Sequence, residues 1–281
     1  MITLVTGSNG QLGKTIQSIV KNKSEFIFTD INNLDITKKE KIESVIINQD
    51  INCIVNCAAY TDVDGAEIEK EKADELNCNA VKNLVEVSEI YKLRLIHIST
   101  DYVYNGIDKS AITEYEHVNP QNYYGVSKLN GEKHIENSIS ESIVIRTSWL
   151  YSSFGKNFVK TIIEKSKDKD LLKIVGDQYG CPTNANDLAD AIIRIVKSKD
   201  RIDKKSKIYN FSNLGFTSWF EFANVIAREI NFNCSLEEIK TNEISQLSKR
   251  PKFTITNKTK IISAFNLKIP HWKESLKKFL K

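Results

Sequence analysis

Short apolar runs alternate with longer amphipathic segments through the first 150 residues of the chain. The runs are rich in β-branched residues and predict strands at 2–6, 26–29, 53–57, 93–98 and 142–147. The segments between them predict helices at about 10–20, 38–48 and 72–91, and a further one after 120. Because strands that alternate with helices favour a parallel sheet covered on both faces, we expect an α/β fold with a doubly wound parallel sheet.

Beyond residue 150 the alternation is less regular. Helices are predicted near 156–167, 184–198 and 218–230, with short apolar runs at 171–175 and 207–211. The pattern predicts an N-terminal domain of residues 1–150, with 184–198 packed back on its sheet, and a smaller lobe made mainly of 151–281. The helix near 218–230 is amphipathic. Its large apolar residues predict packing rather than a site, and they are Trp219, Phe222, Val225 and Ile226.

Charge and cysteine content exclude several classes of protein. The 281 residues include 40 Lys and Arg against 36 Asp and Glu, a net charge of +4. Lysine clusters at 165–169, 197–207 and 277–281 lack the aromatic interleaving of a nucleic-acid track, so they predict solvated faces. No run approaches 18 apolar residues, and the five cysteines form no Cys-x-x-Cys pair. We expect a soluble, cytoplasmic protein that binds no nucleic acid, membrane or metal ion, and the choice between monomer and homodimer stays open.

A glycine-rich turn follows the first predicted strand and leads into the first predicted helix. It contains Gly7, Gly10 and Gly13 in a G-x-x-G-x-x-G spacing. Glycines there allow positive φ and close backbone approach, while free N–H groups at the helix start can face a pyrophosphate. A plain turn is the alternative, but the order of strand, glycines and helix indicates a dinucleotide-binding, Rossmann-type domain at 1–150.

Two carboxylates follow the second predicted strand. Asp30 lies 17 residues beyond Gly13, where an acidic side chain can accept hydrogen bonds from adenosine ribose hydroxyls and would repel a 2′-phosphate. That favours NADH on physical grounds, although we leave NADPH and NADH both open. Asp35 and Ile36 come next, where an adenine contact can form. Either carboxylate can instead serve only as a cap of the following helix.

Tyr124 and Lys128 stand four residues apart on the helix predicted after 120, so their side chains share one face. A cation beside a phenol lowers the phenol pKa and makes it a tunable proton donor. Alone, Tyr-x-x-x-Lys is weak evidence, and a solvated helix face is the alternative. The pair gains weight from Thr100, which follows a predicted strand at the edge where open parallel sheets bind ligands. Thr100 is the candidate for hydrogen-bonding a reacting carbonyl.

Nearly the whole chain resembles the dTDP-4-dehydrorhamnose reductase family of extended short-chain dehydrogenases. Residues 56–67 read N-C-A-A-Y-T-D-V-D-G-A-E, and residues 99–103 read S-T-D-Y-V. Residues 146–149, 177–183 and the pair Arg250-Pro251 also match the family in order. The resemblance implies NAD(P)H-dependent reduction of the C4 keto group of a dTDP-bound 4-keto-6-deoxy sugar, giving dTDP-L-rhamnose.

The resemblance also implies a role for particular residues. The catalytic triad falls on Thr100, Tyr124 and Lys128. The cofactor contacts fall on Gly10, Gln11, Leu12, Asp30, Asp35, Ile36, Ala59, Tyr60, Thr61, Tyr124 and Lys128. The substrate contacts fall on Thr100, Asp101 and Trp149, and Arg250 resembles an arginine that meets the sugar-nucleotide diphosphate. Without the resemblance, we would predict that Trp149 is a core residue and that Arg250 is a surface charge.

Three departures from the family pattern concern the nucleotide end of the substrate and leave the triad intact. Gly65 stands where the family often has Lys, Cys57 where it often has Ala, and the residues after Pro251 are unusual. Two other functions stay open at this stage. One is a non-catalytic NADP-binding subunit similar to the regulatory subunit of methionine adenosyltransferase. The other is a sugar-nucleotide epimerase or dehydratase, although Asp101-Tyr102 is not the Asp-Glu pair of dehydratases.

Overall fold

Parallel strands form the centre of the molecule in this computed structural model, which describes residues 1–107, 109–198 and 207–281. Within those ranges the main sheet has six strands in the order β2-β1-β3-β4-β5-β10. They are β1 (Ile2–Thr6), β2 (Phe26–Phe28), β3 (Ile51–Asn56), β4 (Arg94–Thr100), β5 (Ser142–Thr147) and β10 (Ile208–Phe211). Each neighbouring pair is parallel, so the doubly wound α/β fold predicted from the sequence is confirmed.

Both faces of the sheet are covered by helices. The helices of this part are α1 (Gln11–Ile19), α2 (Lys39–Gln49), α3 (Gly65–Ile68), α4 (Lys70–Asp74), α5 (Ala80–Ile90), α6 (Tyr123–Glu136) and α8 (Ala185–Lys197). Leu4 of β1 packs with α2 and α5, whereas Val5 packs with α1 and α8. Strands buried on both faces read as continuous apolar runs, which is why the sequence reveals them.

Most of the remaining elements build a second apolar core. The remaining elements are β6 (Leu150–Tyr151), α7 (Phe158–Asp168), β7 (Leu171–Val175), β8 (Tyr179–Gly180), β9 (Thr183–Asn184), β11 (Thr217–Ser218), α9 (Trp219–Ile230), β12 (Ser235–Ile239), β13 (Phe253–Thr254), α10 (Thr259–Phe265) and α11 (Trp272–Leu280). Phe222, Ile226 and Trp272 are buried in this core. Helix α8 packs instead against α1, on the main sheet, and α10 packs against β10 of the same sheet. The division into a domain at 1–150 and a lobe at 151–281 stays a prediction.

Two details differ from the sequence-based expectations. The helix predicted at 72–91 is interrupted by a π-helical turn, Glu75–Asn79, between α4 and α5. Lys207 belongs to a predicted solvated cluster, but it is buried and its ammonium donates to the Ile135 carbonyl at the end of α6, 3.0 Å away. Most of that cluster, 199–206, lies outside the described residues. Among the helices of the described residues, none has the length and hydrophobicity of a membrane-spanning helix.

The strand order reverses between β1 and β3. From β1 the chain moves outward to β2 and then returns to the other side of β1 to form β3. The loops after β1 and β3 therefore leave the sheet in opposite directions and open a crevice between them. Ligands of open α/β sheets bind in such a crevice, at the carboxyl ends of the strands.

Candidate active site

Three adjoining cavities run along the carboxyl ends of the strands. The central cavity has a volume of about 370 Å³, and its lining includes Gly10, Gln11, Leu12, Ala59, Thr61, Thr100, Asp101, Tyr124, Lys128, Trp149 and Trp219. The outer cavity, of about 380 Å³, shares Gly10 and Ala59 with it and adds Gly7, Asp30 and Ile36. The lobe cavity, of about 270 Å³, shares Tyr102 and Trp219 with the central cavity and adds Arg250. Most of the predicted site residues therefore lie along one continuous cleft.

The glycine turn packs its backbone directly against the loop after β3. Gly7 has φ +65°, and a Cβ there would lie 2.5 Å from the Ala58 nitrogen. A Cβ on Gly13 would lie 2.4 Å from the Gly7 carbonyl oxygen. Gly10 immediately precedes α1 and lines both the central and outer cavities. The first N–H groups of α1 have no partner inside the helix, so this turn offers donors to an anionic group.

Asp30 lies at the far side of the outer cavity, at the end of β2. Its carboxylate accepts hydrogen bonds from the Asn9 and Ile31 amides, at 2.9 and 2.8 Å. These bonds fix the carboxylate at the rim of the cavity, beside the glycine turn. Asp35 instead accepts hydrogen bonds from the Thr37 amide and hydroxyl, at 3.0 and 2.7 Å. Those bonds lower the Asp35 pKa against the effect of its partial burial. They close a local turn before α2, whose N-cap residue Lys38 makes no side-chain capping bond, so Asp35 does not cap that helix.

Tyr124 lies in the first turn of α6, with its side chain in the central cavity. The turn is set by Asn122, whose side-chain oxygen accepts a hydrogen bond from the Gly125 amide at 2.8 Å. Burial raises the pKa of Tyr124 to about 12, although a hydrogen bond with the Thr100 hydroxyl acts in the other direction. The expected lowering of the phenol pKa by Lys128 is therefore wrong for this structure. The phenol is protonated across the ordinary pH range.

Lys128 lies one turn further along α6 and is 1 % exposed. Its Nζ donates to the Ile98 carbonyl at 2.7 Å and lies 3.2 Å from Nε2 of His97. Burial lowers the pKa of Lys128 to about 8. The amine lines the same cavity as the phenol and Thr100, so the three predicted catalytic groups are brought together.

Asp101 contributes a buried carboxyl group to the wall of the central cavity. Its Oδ1 accepts from the Thr100 hydroxyl at 3.2 Å, whereas its Oδ2 is buried without a hydrogen-bond partner in the described residues. Burial raises the pKa of Asp101 to about 7. An unpaired buried oxygen costs free energy unless a bound molecule supplies a partner. Asp101 therefore lies in the wall of the central cavity as a buried carboxyl group beside the hydroxyls of Thr100 and Thr254.

An indole pair forms the lobe side of the central cavity. Trp149 has φ +45° and stacks on Trp219, with ring centroids 3.4 Å apart and planes inclined by 8°. Gly180 leaves room for the Trp149 ring, because a Cβ there would lie 2.6 Å from it. Trp219 was expected in the core from its helical spacing, but it lines both the central and lobe cavities. Helical periodicity cannot distinguish a side chain that packs from one that packs and also borders a cavity.

Arg250 lies in the lobe cavity rather than beside the triad. Its guanidinium donates to Asp64 Oδ2 at 2.8 Å and to Gln246 at 3.0 Å. Asp64 also accepts from the Ser248 amide at 3.0 Å. Arg250, to which the family resemblance assigns the diphosphate contact, is therefore paired with Asp64. It lies at the end of the cleft away from Asp30.

Asn77, a polar residue of the segment predicted as a helix at 72–91, helps to shape the cleft. It is fully buried in the π-helical turn before α5. Its amide bonds both backbone polar groups of Tyr60, at 2.9 and 3.0 Å, and the Ser127 hydroxyl of α6 at 3.0 Å. The side chain of Tyr60 points to Glu69, 2.7 Å away. Asn77 thus fixes the loop after β3 against α6. Tyr60, a predicted cofactor contact, does not line the three cavities, whereas its neighbours Ala59 and Thr61 line the central one.

Comparisons with known proteins agree over the full length of the chain. The family described as "RmlD substrate binding domain" matches residues 1–281. A dTDP-4-dehydrorhamnose reductase of Aggregatibacter actinomycetemcomitans is 35% identical, with 98% of this chain and 96% of that protein covered. The crystal structure of such a reductase from Clostridium acetobutylicum is 36% identical, with a TM-score of 0.93 and 100% and 98% of the two chains covered. One from Bacillus anthracis in complex with NADP is 34% identical, with a TM-score of 0.93 and 99% of each chain covered.

Proposed function

The chain belongs to the dTDP-4-dehydrorhamnose reductase family, and from this premise we infer that it reduces the C4 ketone of dTDP-4-dehydro-L-rhamnose with NADPH or NADH. The product is dTDP-L-rhamnose, so the enzyme acts in nucleotide-sugar biosynthesis. The observation that carries the reaction is the convergence of Thr100, Tyr124 and Lys128 on one cavity that continues to the glycine turn. We further propose a cytoplasmic location, where the five unpaired cysteines would stay reduced.

The cleft fits a dinucleotide. Gly10 and the start of α1 provide backbone donors for the pyrophosphate, and Ala59 leaves the backbone after β3 open to the cavity. Asp30 lies where a ribose hydroxyl would be bound, and Ile36 lines the same cavity as an apolar contact for adenine. When bound, the nicotinamide supplies the hydride that reduces the ketone.

Tyr124 is proposed as the proton donor. A raised pKa keeps the phenol protonated at neutral pH, which is the form that can give a proton to the alkoxide oxygen. The Thr100 hydroxyl lies beside the phenol and donates to Asp101, so it would turn from Asp101 to give the alkoxide a second hydrogen bond as negative charge develops. Lys128 would hold the ribose next to the nicotinamide, and Asp101 is proposed as a substrate contact in the wall of the central cavity.

The nucleotide end of the substrate is proposed to extend from the central cavity into the lobe cavity. Trp149 and Trp219 form a flat aromatic wall between the two cavities, on which an apolar sugar face can pack. Arg250 would bind the diphosphate through its forked guanidinium. To do so it must exchange the Asp64 carboxylate for phosphate oxygens, or bind them with donors that Asp64 does not use.

The proposal is tested by a coupled assay. The purified protein is supplied with dTDP-4-keto-6-deoxyglucose and a 3,5-epimerase, and the loss of absorbance from NADPH and NADH is followed separately. We expect net oxidation of the cofactor and formation of dTDP-L-rhamnose. A protein that copurifies with a synthetase and oxidises neither cofactor would instead be a binding subunit, and turnover without net cofactor consumption would indicate an epimerase or dehydratase.

Replacing Asp30 should change the relative affinity for NADPH and NADH. The Asp30→Asn variant should bind NADPH more tightly relative to NADH by about tenfold, because it removes the repulsion between a carboxylate and a 2′-phosphate, worth about 1 kcal/mol or more at ~4 Å. The measurement is the ratio of dissociation constants for the two cofactors, by fluorescence titration. Asp35→Asn is the matched control, since Asp35 bonds Thr37 instead, and should leave the ratio unchanged. An unchanged ratio in Asp30→Asn would remove Asp30 from the ribose site.

A further inference from the structure

The Arg250 guanidinium is held along one edge by two acceptors. Its Nε donates to Oε1 of Gln246 at 3.0 Å, and its Nη2 donates to Oδ2 of Asp64 at 2.8 Å. The Nε–H and one Nη2–H lie side by side along the same edge of the planar group, so the two acceptors fill that edge. The end fork, made by Nη1 and the second hydrogen of Nη2, has no partner among the described residues.

Asp64 is itself fixed by the segment that carries Arg250. Its Oδ1 accepts from both the amide and the hydroxyl of the buried Ser248. Burial acts to raise the pKa of Asp64, but the bonds from Ser248 and the charge of Arg250 outweigh it and lower the pKa below its usual value. The carboxylate is therefore ionised near neutral pH. Rotating it away from Arg250 would break hydrogen bonds at both of its oxygens.

The chain on both sides of Arg250 is anchored to other elements. Asn122, the N-cap of α6, donates to the Lys249 carbonyl at 2.8 Å. Pro251 packs on Gly106, which has φ +63° and where a Cβ would lie 2.2 Å from the Pro251 Cβ. The backbone at Arg250 is thus fixed relative to the catalytic helix. What remains to be oriented is the long, flexible side chain.

The end fork of Arg250 lies along the path that leads to the triad. Arg250 is partly exposed and lines the lobe cavity with Tyr102, which also lines the central cavity. We propose that Asp64 and Gln246 are positioning residues that fill the side edge of Arg250 and leave its end fork for two oxygens of the substrate diphosphate. Asp64 then stays bonded to Arg250 in the complex. The proposal rests on the proposed function, because it takes the substrate to be a sugar joined to a nucleoside diphosphate.

A carboxylate beside a phosphate-binding arginine can act in two opposite ways. As a competitor, it holds the guanidinium until phosphate replaces it, so removing the carboxylate tightens binding. As a positioning group, it orders the side chain before the ligand arrives, so removing it weakens binding. The geometry favours the second role, since Asp64 uses only the side edge and a complete fork remains.

The test is the dissociation constant of dTDP, measured by isothermal titration calorimetry on the protein saturated with NADPH. In Asp64→Asn the amide oxygen can still accept from Ser248, but the NH₂ that then faces Arg250 cannot accept a hydrogen bond. We expect the dissociation constant to rise by about tenfold, the loss of one charged hydrogen bond. In the coupled assay the change should appear in KM and not in kcat, because the diphosphate does not react. An unchanged or lower dissociation constant would overturn the proposal.

Two controls separate orientation from general effects. Asp62→Asn removes an equal charge two residues away, from an exposed carboxylate that bonds the Gly65 amide. It should leave the dissociation constant of dTDP within a factor of about two, because Asp62 does not bond Arg250. Thymidine, which has no phosphate, should compete equally well for the parent and for Asp64→Asn. A loss shared by thymidine would mean that the cavity has changed shape, and it would count against the positioning role.

A double-variant cycle tests whether Asp64 acts through Arg250. Arg250→Lys keeps a cation but removes the planar fork. The Asp64→Asn, Arg250→Lys variant should bind dTDP about as well as Arg250→Lys alone, whereas additive losses would overturn the proposal. If Asp64→Asn does not fold, Gln246→Met removes the other acceptor from a surface segment, and it should raise the dissociation constant of dTDP at least twofold.

The outcomes for this proposal and for the proposed function are distinguishable. Binding of dTDP needs no turnover, so a protein that binds dTDP through Arg250 and oxidises neither cofactor would contradict the reductase function alone. A parent protein that reduces the ketosugar but shows no loss of dTDP affinity in Asp64→Asn and Gln246→Met would contradict the positioning role alone.

Discussion

Replacing Tyr124 with phenylalanine should lower kcat by about 10²–10⁴-fold, the usual contribution of a positioned general acid. The substitution removes only the hydroxyl from a side chain that is buried in the central cavity and bonded to Thr100. The ring itself stays, so the shape of the cavity is retained. The dissociation constant for NADPH should change little, and the loss should appear at saturating substrate, which is measured by steady-state kinetics in the coupled assay.

Tyr123→Phe is the matched control for this experiment. Tyr123 is the neighbouring phenol on α6, but its hydroxyl donates to Asp74 at 2.5 Å, away from the cavity. Turnover of that variant should stay within a factor of about two of the parent enzyme. If Tyr124→Phe also turned over at a near-normal rate, Tyr124 would not be the proton donor, and the assignment of the catalytic site would be wrong.

Removing one partner of the buried ion pair between Arg146 and Glu132 should destabilise the fold by about 3–5 kcal/mol. The two side chains are 2% and 0% exposed and 2.5 Å apart, and Arg146 also donates to the Tyr104 hydroxyl at 3.0 Å. Glu132→Gln leaves the guanidinium charge uncompensated in a site with little water. The free energy of unfolding is measured by urea titration, followed by the fluorescence of the tryptophans.

The double variant Glu132→Gln, Arg146→Met tests the electrostatic origin of the effect. With both charges gone, we expect most of the lost stability to return, because the penalty comes from a single unpaired charge rather than from lost packing. Asp190→Asn breaks the pair between Arg194 and Asp190, whose side chains are 57% and 61% exposed, and should cost less than about 1 kcal/mol. Equal losses in Glu132→Gln and Asp190→Asn would contradict the argument.

Local patterns predicted the elements of the main sheet well. The strand predicted at 2–6 is β1 as observed, and 142–147 is β5, because residues on both faces of each strand are buried. Strand β12 was not predicted. Its polar and apolar residues do not alternate regularly, and most of them are exposed. The strand is held by its pairing with β7 over Ser235–Ile239. Because pairing with the partner strand stabilises it, its own sequence does not reveal it.

For the candidate active site, too, some properties follow from the sequence and others only from the tertiary structure. The sequence by itself determined the doubly wound fold, the glycine turn, and the identity of Thr100, Tyr124 and Lys128 as candidates, because residue type and short spacing define each of these. Only the tertiary structure decided their ionisation. Burial raises the pKa of the Tyr124 phenol and lowers the pKa of the Lys128 amine, which also lies against the His97 imidazole of β4. Charge depends on what surrounds a group in space, and residues 97 and 128 meet only after the sheet has formed.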